Sequence, residues 1–269
     1  MATNTERLKQ TEAPLLLSSH SDGVVILTLN RPSARNSLST GLMSALQAEL
    51  DKIKNNNSVR VVVIEAAGEV FCAGHDLKEI RANPGRPAYE ALFRQCAALM
   101  TGIVNLPQPV IAKVHGLATA AGCQLVASCD LAVASESARF CTPGVHIGLF
   151  CSTPMVALSR NVPRKAAMEM LLTGDTVNAE TAREWGLVNQ AVTDDELDKA
   201  VDELAEKVSK KSPLTVKIGK KAFYSQLEMG LDDAYTYASQ VMTENMLAKD
   251  AEEGIDAFLE KRAPVWKGK

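Results

Sequence analysis

Short apolar runs and longer helical patterns alternate over the first two thirds of the chain. β-branched runs bounded by turn residues predict buried strands, and they occupy residues 23–29, 59–64, 110–114, 131–134, 138–141 and 188–192. Apolar residues three and four positions apart predict amphipathic helices, which cover residues 39–54, 77–82, 89–104, 154–161, 163–172 and 179–185. This succession of elements predicts a mixed α/β fold.

The last third of the chain has a different pattern. From residue 194 onward every apolar repeat has helical spacing, which predicts helices over 194–211, 213–229, 231–249 and 251–261. No stretch rich in Ser and Gly separates the two regions, which argues against independent domains. We therefore predict a core over residues 14–192 and an α-helical region over residues 193–269.

Two of the predicted strands are followed by turns of small residues. The first turn reads Val-Phe-Cys-Ala-Gly-His-Asp-Leu at residues 70–77, and the second reads His-Gly-Leu-Ala-Thr-Ala-Ala-Gly-Cys-Gln at residues 115–124. A turn that continues into a helix leaves backbone N–H groups free at the positive end of the helix dipole. Two such turns, each aiming one N–H at a shared point, would form an oxyanion hole. The alternative is that each turn is a tight corner in which only small residues fit.

These turns resemble the two signatures of the enoyl-CoA hydratase/isomerase (crotonase) family. Residues 71–78 match F-x-A-G-x-D-[LI]-K, and residues 116–130 are similar to G-x-A-x-G-G-G-x-[EQ]-L-x-x-x-C-D. The resemblance implies a crotonase-like spiral of ββα units whose C-terminal helices pack homotrimers, often paired as hexamers. It also implies an acyl-CoA thioester as substrate or ligand, no other cofactor, and a place in fatty-acid metabolism.

The resemblance also assigns site residues. The backbone N–H groups of His75 and Ala121 would form the oxyanion hole and stabilise an enolate-like intermediate of the thioester. Because a backbone amide is the donor, Ala121 in place of a family glycine keeps it. The substrate would also be contacted by Ala73, Asp76, Leu77, Lys78, Gly122, Cys151 and Lys261.

Several of these residues have a structural alternative. Asp76 could cap the turn that follows it, and Cys151 could be a buried, unactivated thiol. Lys78 would reach the CoA phosphates and Lys261 the nucleotide, or either could be a solvated surface charge.

Two positions depart from the family pattern. Hydratases of this family use two glutamates to position water and move protons, and these positions hold Gln124 and Gly144. General acid–base help is worth about 10²–10⁴ in rate per group, so the sequence predicts weak enoyl-CoA hydration. His75 is the group of the first turn that would titrate near pH 7, either as a catalytic side chain or as one that fills the pocket.

Three functions are consistent with these residues. The first is an acyl-CoA enzyme of this lyase and isomerase family, whose reaction would be isomerisation, decarboxylation, thioester cleavage or a slow hydratase side activity. The second is a non-catalytic acyl-CoA-binding or regulatory protein that keeps the pocket. The third is an ordinary hydratase whose water is held by Gln124 and other groups.

Composition limits the partners. A formal net charge of -3 gives no basic surface for nucleic acid, and no apolar run approaches the roughly 20 residues of a membrane span. The six cysteines include no C-x-x-C pair, which predicts reduced thiols and no metal site. Residues 1–14 lack the features of a signal peptide or a mitochondrial presequence. We therefore predict a bacterial cytoplasmic protein, with the mitochondrial matrix as the alternative.

Overall fold

A six-stranded sheet lies at the centre of the computed structural model, which describes residues 13–269. The strand order is β1-β2-β3-β4-β6-β9, and every neighbouring pair is parallel except β1 with β2. The strands of this sheet are Leu16–Ser21 (β1), Val24–Leu29 (β2), Val61–Ala66 (β3), Val110–Val114 (β4), Leu131–Ser135 (β6) and Gln190–Val192 (β9). Because each parallel step needs a crossover, the turns that follow β3 and β4 emerge at the same edge of the sheet.

A second, three-stranded sheet receives the chain after it leaves the first. Its strands are Leu117–Thr119 (β5), Arg139–Cys141 (β7) and Val177–Asn178 (β8), and β5 pairs in parallel with β7. The chain therefore repeats one strand in each sheet followed by a helix, which is the ββα unit expected from the family resemblance.

The helices lie around these sheets and in the C-terminal region. Within the described residues they are Thr40–Lys54 (α1), Leu77–Ala82 (α2), Arg86–Val104 (α3), Ala121–Ser128 (α4), Pro154–Leu158 (α5), Arg164–Thr173 (α6), Ala179–Glu184 (α7), Leu197–Ser209 (α8), Pro213–Gln226 (α9), Leu231–Met246 (α10) and Lys249–Leu259 (α11). The predicted cap of α1 is confirmed, because Ser39 Oγ accepts a hydrogen bond of 3.1 Å from Leu42 N.

Both faces of the large sheet are buried. One face packs against the main core, which includes the inward leucines of α1 and α3. The other face packs against α8 through Leu197, Val201 and Ala205. Sheet and flanking helices thus hold the ends of β3 and β4 in fixed positions.

The aspartate that ends the second motif attaches α9 to the core. Asp130 accepts hydrogen bonds from Lys220 Nζ at 2.6 Å, from Tyr224 Oη at 2.9 Å and from Val110 N at 2.7 Å. Burial raises the pKa of Asp130 and lowers that of Lys220. Breaking a buried ion pair typically costs about 3–5 kcal/mol, so this contact fixes α9 on the core.

The structure corrects several predicted elements. Residues 117–119 are a strand, where the sequence predicted only a turn, and β1 was not predicted. β1 is an edge strand whose last five residues are exposed, so it carries no apolar alternation that could reveal it. α3 begins at Arg86 where the pattern predicted residue 89, because Pro87 is tolerated in the first turn of a helix.

Candidate active site

The two small-residue turns are joined by backbone hydrogen bonds. Cys72 N donates to Leu117 O at 3.0 Å, and Thr119 N donates to Cys72 O at 2.9 Å. One ring nitrogen of His115 lies 2.7 Å from Gly68 O, which ties the start of the second turn to the loop before the first. The expectation that the two turns meet is therefore confirmed.

Glycines allow the turns to pack backbone against backbone. A Cβ at Gly122 would lie 2.2 Å from Cys72 O, which no side chain could tolerate. Gly74 has a φ of +85°, and a Cβ there would lie 3.0 Å from Ala120 Cβ and 3.5 Å from Ala121 N. The residues that follow Gly74 and Ala120 are thus neighbours in space.

Those residues, His75 and Ala121, have unused backbone donors. Among the residues that the structure describes, neither N–H donates to a protein acceptor, whereas Asp76 N donates to Leu38 O at 3.2 Å and Ala120 N to Cys141 O at 2.9 Å. Ala121 is the first residue of α4, where a free N–H is expected. Two free amides on adjacent turns are the arrangement that an oxyanion hole requires.

Ala120 sets the direction of the second donor. Its backbone has φ 51° and ψ −116°, a conformation that L-residues rarely adopt, and the family signature has glycine here. Such backbone strain costs about 1–3 kcal/mol. The turn therefore keeps the conformation of a glycine although it carries a methyl group.

Both ring nitrogens of His75 are buried, and neither makes a hydrogen bond of normal geometry within the described residues, although the Leu38 backbone lies close enough to the ring to affect its pKa. The imidazole contacts the edge of Phe93, with ring centroids 5.7 Å apart and an interplanar angle of 76°. Burial lowers the pKa of His75 below its usual 6.5, so the ring is neutral at pH 7. A neutral imidazole has one nitrogen that can accept a proton.

Asp76 fixes the turn that carries His75. Its carboxylate accepts hydrogen bonds from Arg31 Nη2 at 2.9 Å, Lys78 N at 3.1 Å and Glu79 N at 3.3 Å. Burial of the carboxylate opposes ionisation, but the hydrogen bonds from Arg31 and the two amides outweigh it and hold the pKa of Asp76 below its usual value. The capping interaction is present, and a direct contact of Asp76 with substrate stays a prediction.

Gln124 occupies the first glutamate position, in the first turn of α4. Its side chain is only 5% exposed, and Cys96 Sγ lies 3.9 Å from Gln124 Oε1. Burial raises the pKa of the Cys96 thiol to about 11. Neither group can exchange a proton readily near neutral pH.

Gly144 occupies the second glutamate position, and the space beside it is filled. A Cβ at Gly144 would lie 2.9 Å from Cys151 Sγ and 2.9 Å from Leu149 O. Burial raises the pKa of Cys151, so its thiol is protonated at neutral pH and is not an activated nucleophile.

The remaining predicted residues lie around this centre or apart from it. Ala73 N donates to Arg35 O at 3.0 Å, and Leu77 and Lys78 are exposed shortly after His75. Lys261 is exposed after α11, which packs against α9 and α10. Within the chain it therefore belongs to the helical region, and its contact with the nucleotide stays a prediction.

Phe93, which the sequence leaves open as a residue of the acyl tunnel or of the helix core, is 42% exposed and contacts His75. The structure adds one residue that the sequence pattern did not single out. Arg31 precedes Pro32 in a turn, and nothing in the sequence pattern indicated a role for it in the site.

A groove of about 500 Å³ lies between α1 and α3. No residue of the two motifs lines it, so the candidate site does not lie there.

The geometry can be compared with known proteins. Residues 19–269 match the family model described as enoyl-CoA hydratase/isomerase. The chain belongs to the enoyl-CoA hydratase/isomerase family. Gly-His-Asp at 74–76 and the sequence of residues 123–130 resemble enoyl-CoA hydratase domain-containing protein 3 in particular, and this resemblance is confirmed. The chain is 47% identical to the Xenopus laevis protein of that name, "Enoyl-CoA hydratase domain-containing protein 3, mitochondrial", over 94% of this chain and 86% of the relative.

Bacterial members of the family are also similar. The chain is 34% identical to "2,3-dehydroadipyl-CoA hydratase" of Escherichia coli, over 94% of this chain and 99% of the relative. A crystal structure of an enoyl-CoA hydratase from Mycobacterium smegmatis matches with a TM-score of 0.93 and 52% identity, over 94% of this chain and 99% of that one. The crotonase-like fold is thereby confirmed.

Proposed function

We propose that this protein binds acyl-CoA thioesters and holds the thioester oxygen between the backbone N–H groups of His75 and Ala121. The observation that carries the proposal is the pair of free amides on two turns that are bonded to each other. Removal of one such donor in other enzymes costs about 10²–10³ in rate. The hole would stabilise the enolate-like form of the bound thioester.

The acyl chain would lie against apolar side chains near the hole. Leu77 and Phe93 are exposed beside His75, and Leu149 and Phe150 are exposed just before Cys151. An acyl group would cover this surface and shield the thioester from water. Lys78 and Lys261 would bind the phosphates and nucleotide of CoA.

We further propose that hydration is weak and that His75 is the proton acceptor of this site. Gln124 has no titratable proton, and Cys151 fills the place of a second carboxylate. The His75 ring is neutral at pH 7, and neither nitrogen makes a hydrogen bond of normal geometry within the described residues. Both nitrogens are buried, so the ring would turn toward the bound thioester to remove a proton from the carbon next to the carbonyl, which is the first step of isomerisation.

The test is deuterium incorporation into butyryl-CoA in D₂O, measured by mass spectrometry with native protein and His75→Ala. The variant keeps the backbone N–H and loses only the ring. We expect His75→Ala to bind butyryl-CoA like the native protein and to exchange about 10²–10⁴ more slowly. Binding without exchange by the native protein would contradict the role of His75 and favour a non-catalytic acyl-CoA-binding function. Absence of binding would overturn the proposed function as a whole.

We propose a homotrimer or hexamer as the assembly. Apolar side chains that are at least half exposed cluster on the helical region, at Phe223, Leu227, Leu231, Tyr235, Met242, Met246, Leu247, Phe258 and Leu259. Apolar surface on this scale is typical of an interface. Size-exclusion chromatography with light scattering tests the assembly, and a stable monomer would contradict it.

The remaining expectations about partners and compartment stay predictions. In the part of the chain that the structure describes, no helix is long and apolar enough to cross a membrane, and no group of three His, Cys, Asp or Glu side chains could hold a metal ion. Bacterial cytoplasm, or alternatively the mitochondrial matrix, remains the predicted location. The residues that prompted this prediction, 1–14, lie almost wholly outside the described part.

A further inference from the structure

A basic groove lies at the opposite edge of the sheet from the candidate active site. Its volume is about 310 Å³, and its walls are the residues just before β3 and β4, the start of α9, and residues 266–268. The two small-residue turns follow the ends of β3 and β4, whereas this groove lies at their beginnings. The two sites are therefore separated by the length of the strands.

Cations dominate the lining of the basic groove. No acidic side chain lines it, and none of its cationic side chains forms an ion pair within residues 13–269. These cations are Lys54, Arg60, Lys211, Lys217 and Lys267. Five unpaired cations on a chain of net charge -3 make a local field that attracts anions.

The segment that carries Lys267 is held in place from behind. Asp250 is 2% exposed and accepts hydrogen bonds from Ser212 Oγ at 2.6 Å, Lys267 N at 2.8 Å and Gly268 N at 3.0 Å. The carboxylate is thus satisfied by its own donors and does not line the groove. Its role is to fix one wall.

Gln108 belongs to the wall of the groove. It is 8% exposed, and its Nε2 donates to Ile53 O at 3.0 Å. Its Oε1 accepts no hydrogen bond within the described residues, but this atom is itself buried, so a ligand in the groove does not reach it.

An aromatic ring completes the lining. Trp266 Nε1 donates to Lys210 O at 2.8 Å, and a Cβ at Gly254 would lie 3.2 Å from the ring. The indole is therefore held in one orientation against α11. A fixed ring beside cations can stack on a planar base, which is typically worth about 1–3 kcal/mol.

We propose that this groove binds a nucleoside di- or triphosphate, with the phosphates on the lysines and the base on Trp266. The aromatic ring beside the cations distinguishes this ligand from inorganic phosphate. The proposal does not depend on the reaction at the oxyanion hole.

The test is titration of the full-length protein with ADP, followed by calorimetry and by tryptophan fluorescence. The groove variant Lys211→Gln/Lys267→Gln should weaken ADP binding at least about tenfold, because each hydrogen bond to a charged group contributes that much. The control variant Lys165→Gln/Lys199→Gln removes two exposed lysines that do not line the groove and should bind ADP like the native protein. Trp266→Phe should abolish the fluorescence change that ADP causes.

Several results would overturn the proposal. One is an equal loss of affinity in the groove and control variants, which would mean non-specific charge attraction. Another is pyrophosphate binding as tightly as ADP, which would exclude stacking on Trp266. A third is loss of ADP affinity in Lys78→Gln but not in the groove variant, which would place ADP at the site proposed for CoA. Failure of ADP to bind the native protein would also contradict it.

Discussion

The backbone and the side chains of the candidate site differ in how much of the family pattern they retain. The turns at His75 and Ala121 keep two free N–H groups, although alanines occupy two of the family's glycine positions. The glutamate positions keep no carboxylate at all. A backbone donor survives a change of side chain as long as φ and ψ are maintained, whereas proton transfer depends on the side chain itself. The proposed site therefore keeps the backbone donors that would bind and polarise a thioester, but it lacks the carboxylates of hydration chemistry.

The largest effect is expected from a substitution at Gly122, where the two turns that carry the free N–H groups pack against each other. Gly122→Ala would place a methyl group 2.2 Å from Cys72 O, so the turns must separate. We expect the free energy of unfolding to fall by more than about 3 kcal/mol, and the thermal midpoint to fall with it. Gly219→Ala is the matched control, because nothing lies within 4 Å of a Cβ there and it should stabilise α9 by up to about 1 kcal/mol.

The next largest effect is expected when a carboxylate is restored at the first glutamate position. Gln124→Glu supplies a carboxylate beside the hole, and we expect it to raise hydration of crotonyl-CoA by about 10². Loss of the enoyl absorbance measures the rate. If the variant showed no gain while crotonyl-CoA still bound, lack of a carboxylate at this position would not explain weak hydration.

A second carboxylate should not add to that gain. In Gln124→Glu/Gly144→Glu the new side chain meets Cys151 Sγ and Leu149 O, so we expect lower stability by about 1–3 kcal/mol and no faster hydration. Addition of Cys151→Ala removes only the contact with Sγ, because Leu149 O would still lie 2.9 Å from the new Cβ, so we expect this triple variant to hydrate no faster either.

A smaller effect is expected from the pH dependence of stability. Because the pKa of His75 in the folded protein is below its usual value, the unfolded chain binds the proton more readily. The contribution of neutral His75 to the free energy of unfolding is therefore fully present above about pH 6.5. It decreases as the pH falls, with a slope of at most about 1.4 kcal/mol per pH unit. Urea unfolding at pH 7.5 and pH 5 gives the free energy of unfolding at each pH. This free energy should fall more for the native protein than for His75→Phe, and equal decreases would contradict this account.

The smallest effect is expected at Ala120. Ala120→Gly relieves the strain at φ 51° but adds entropy to the unfolded chain, so we expect a net gain of less than about 1 kcal/mol. Acyl-CoA affinity should not change, because the donor belongs to Ala121. A clear loss of stability would show that the methyl group of Ala120 contributes packing that outweighs the strain.

Much of this site could be predicted from the sequence because its parts are local. The strands before each turn, the small residues and the two departures at Gln124 and Gly144 can all be recognised along the chain. The filled space beside Gly144 could not be predicted, because Cys151 reaches it through a loop, and a loop has no hydrophobic periodicity that predicts its path. Arg31 reaches the first turn only through its long-range ion pair with Asp76, and Lys220 is paired with Asp130 across 90 residues.

On the proposed function, this protein polarises an acyl-CoA thioester without hydrating it efficiently. The most direct measurement records the absorbance spectrum of a conjugated enoyl-CoA upon binding, together with its rate of hydration. Hydrogen bonds to the thioester oxygen shift the absorbance to longer wavelength, and we predict this shift with hydration at least about 10² slower than in an active hydratase run in parallel. Rapid hydration by the native protein, or binding without any spectral shift, would contradict the account.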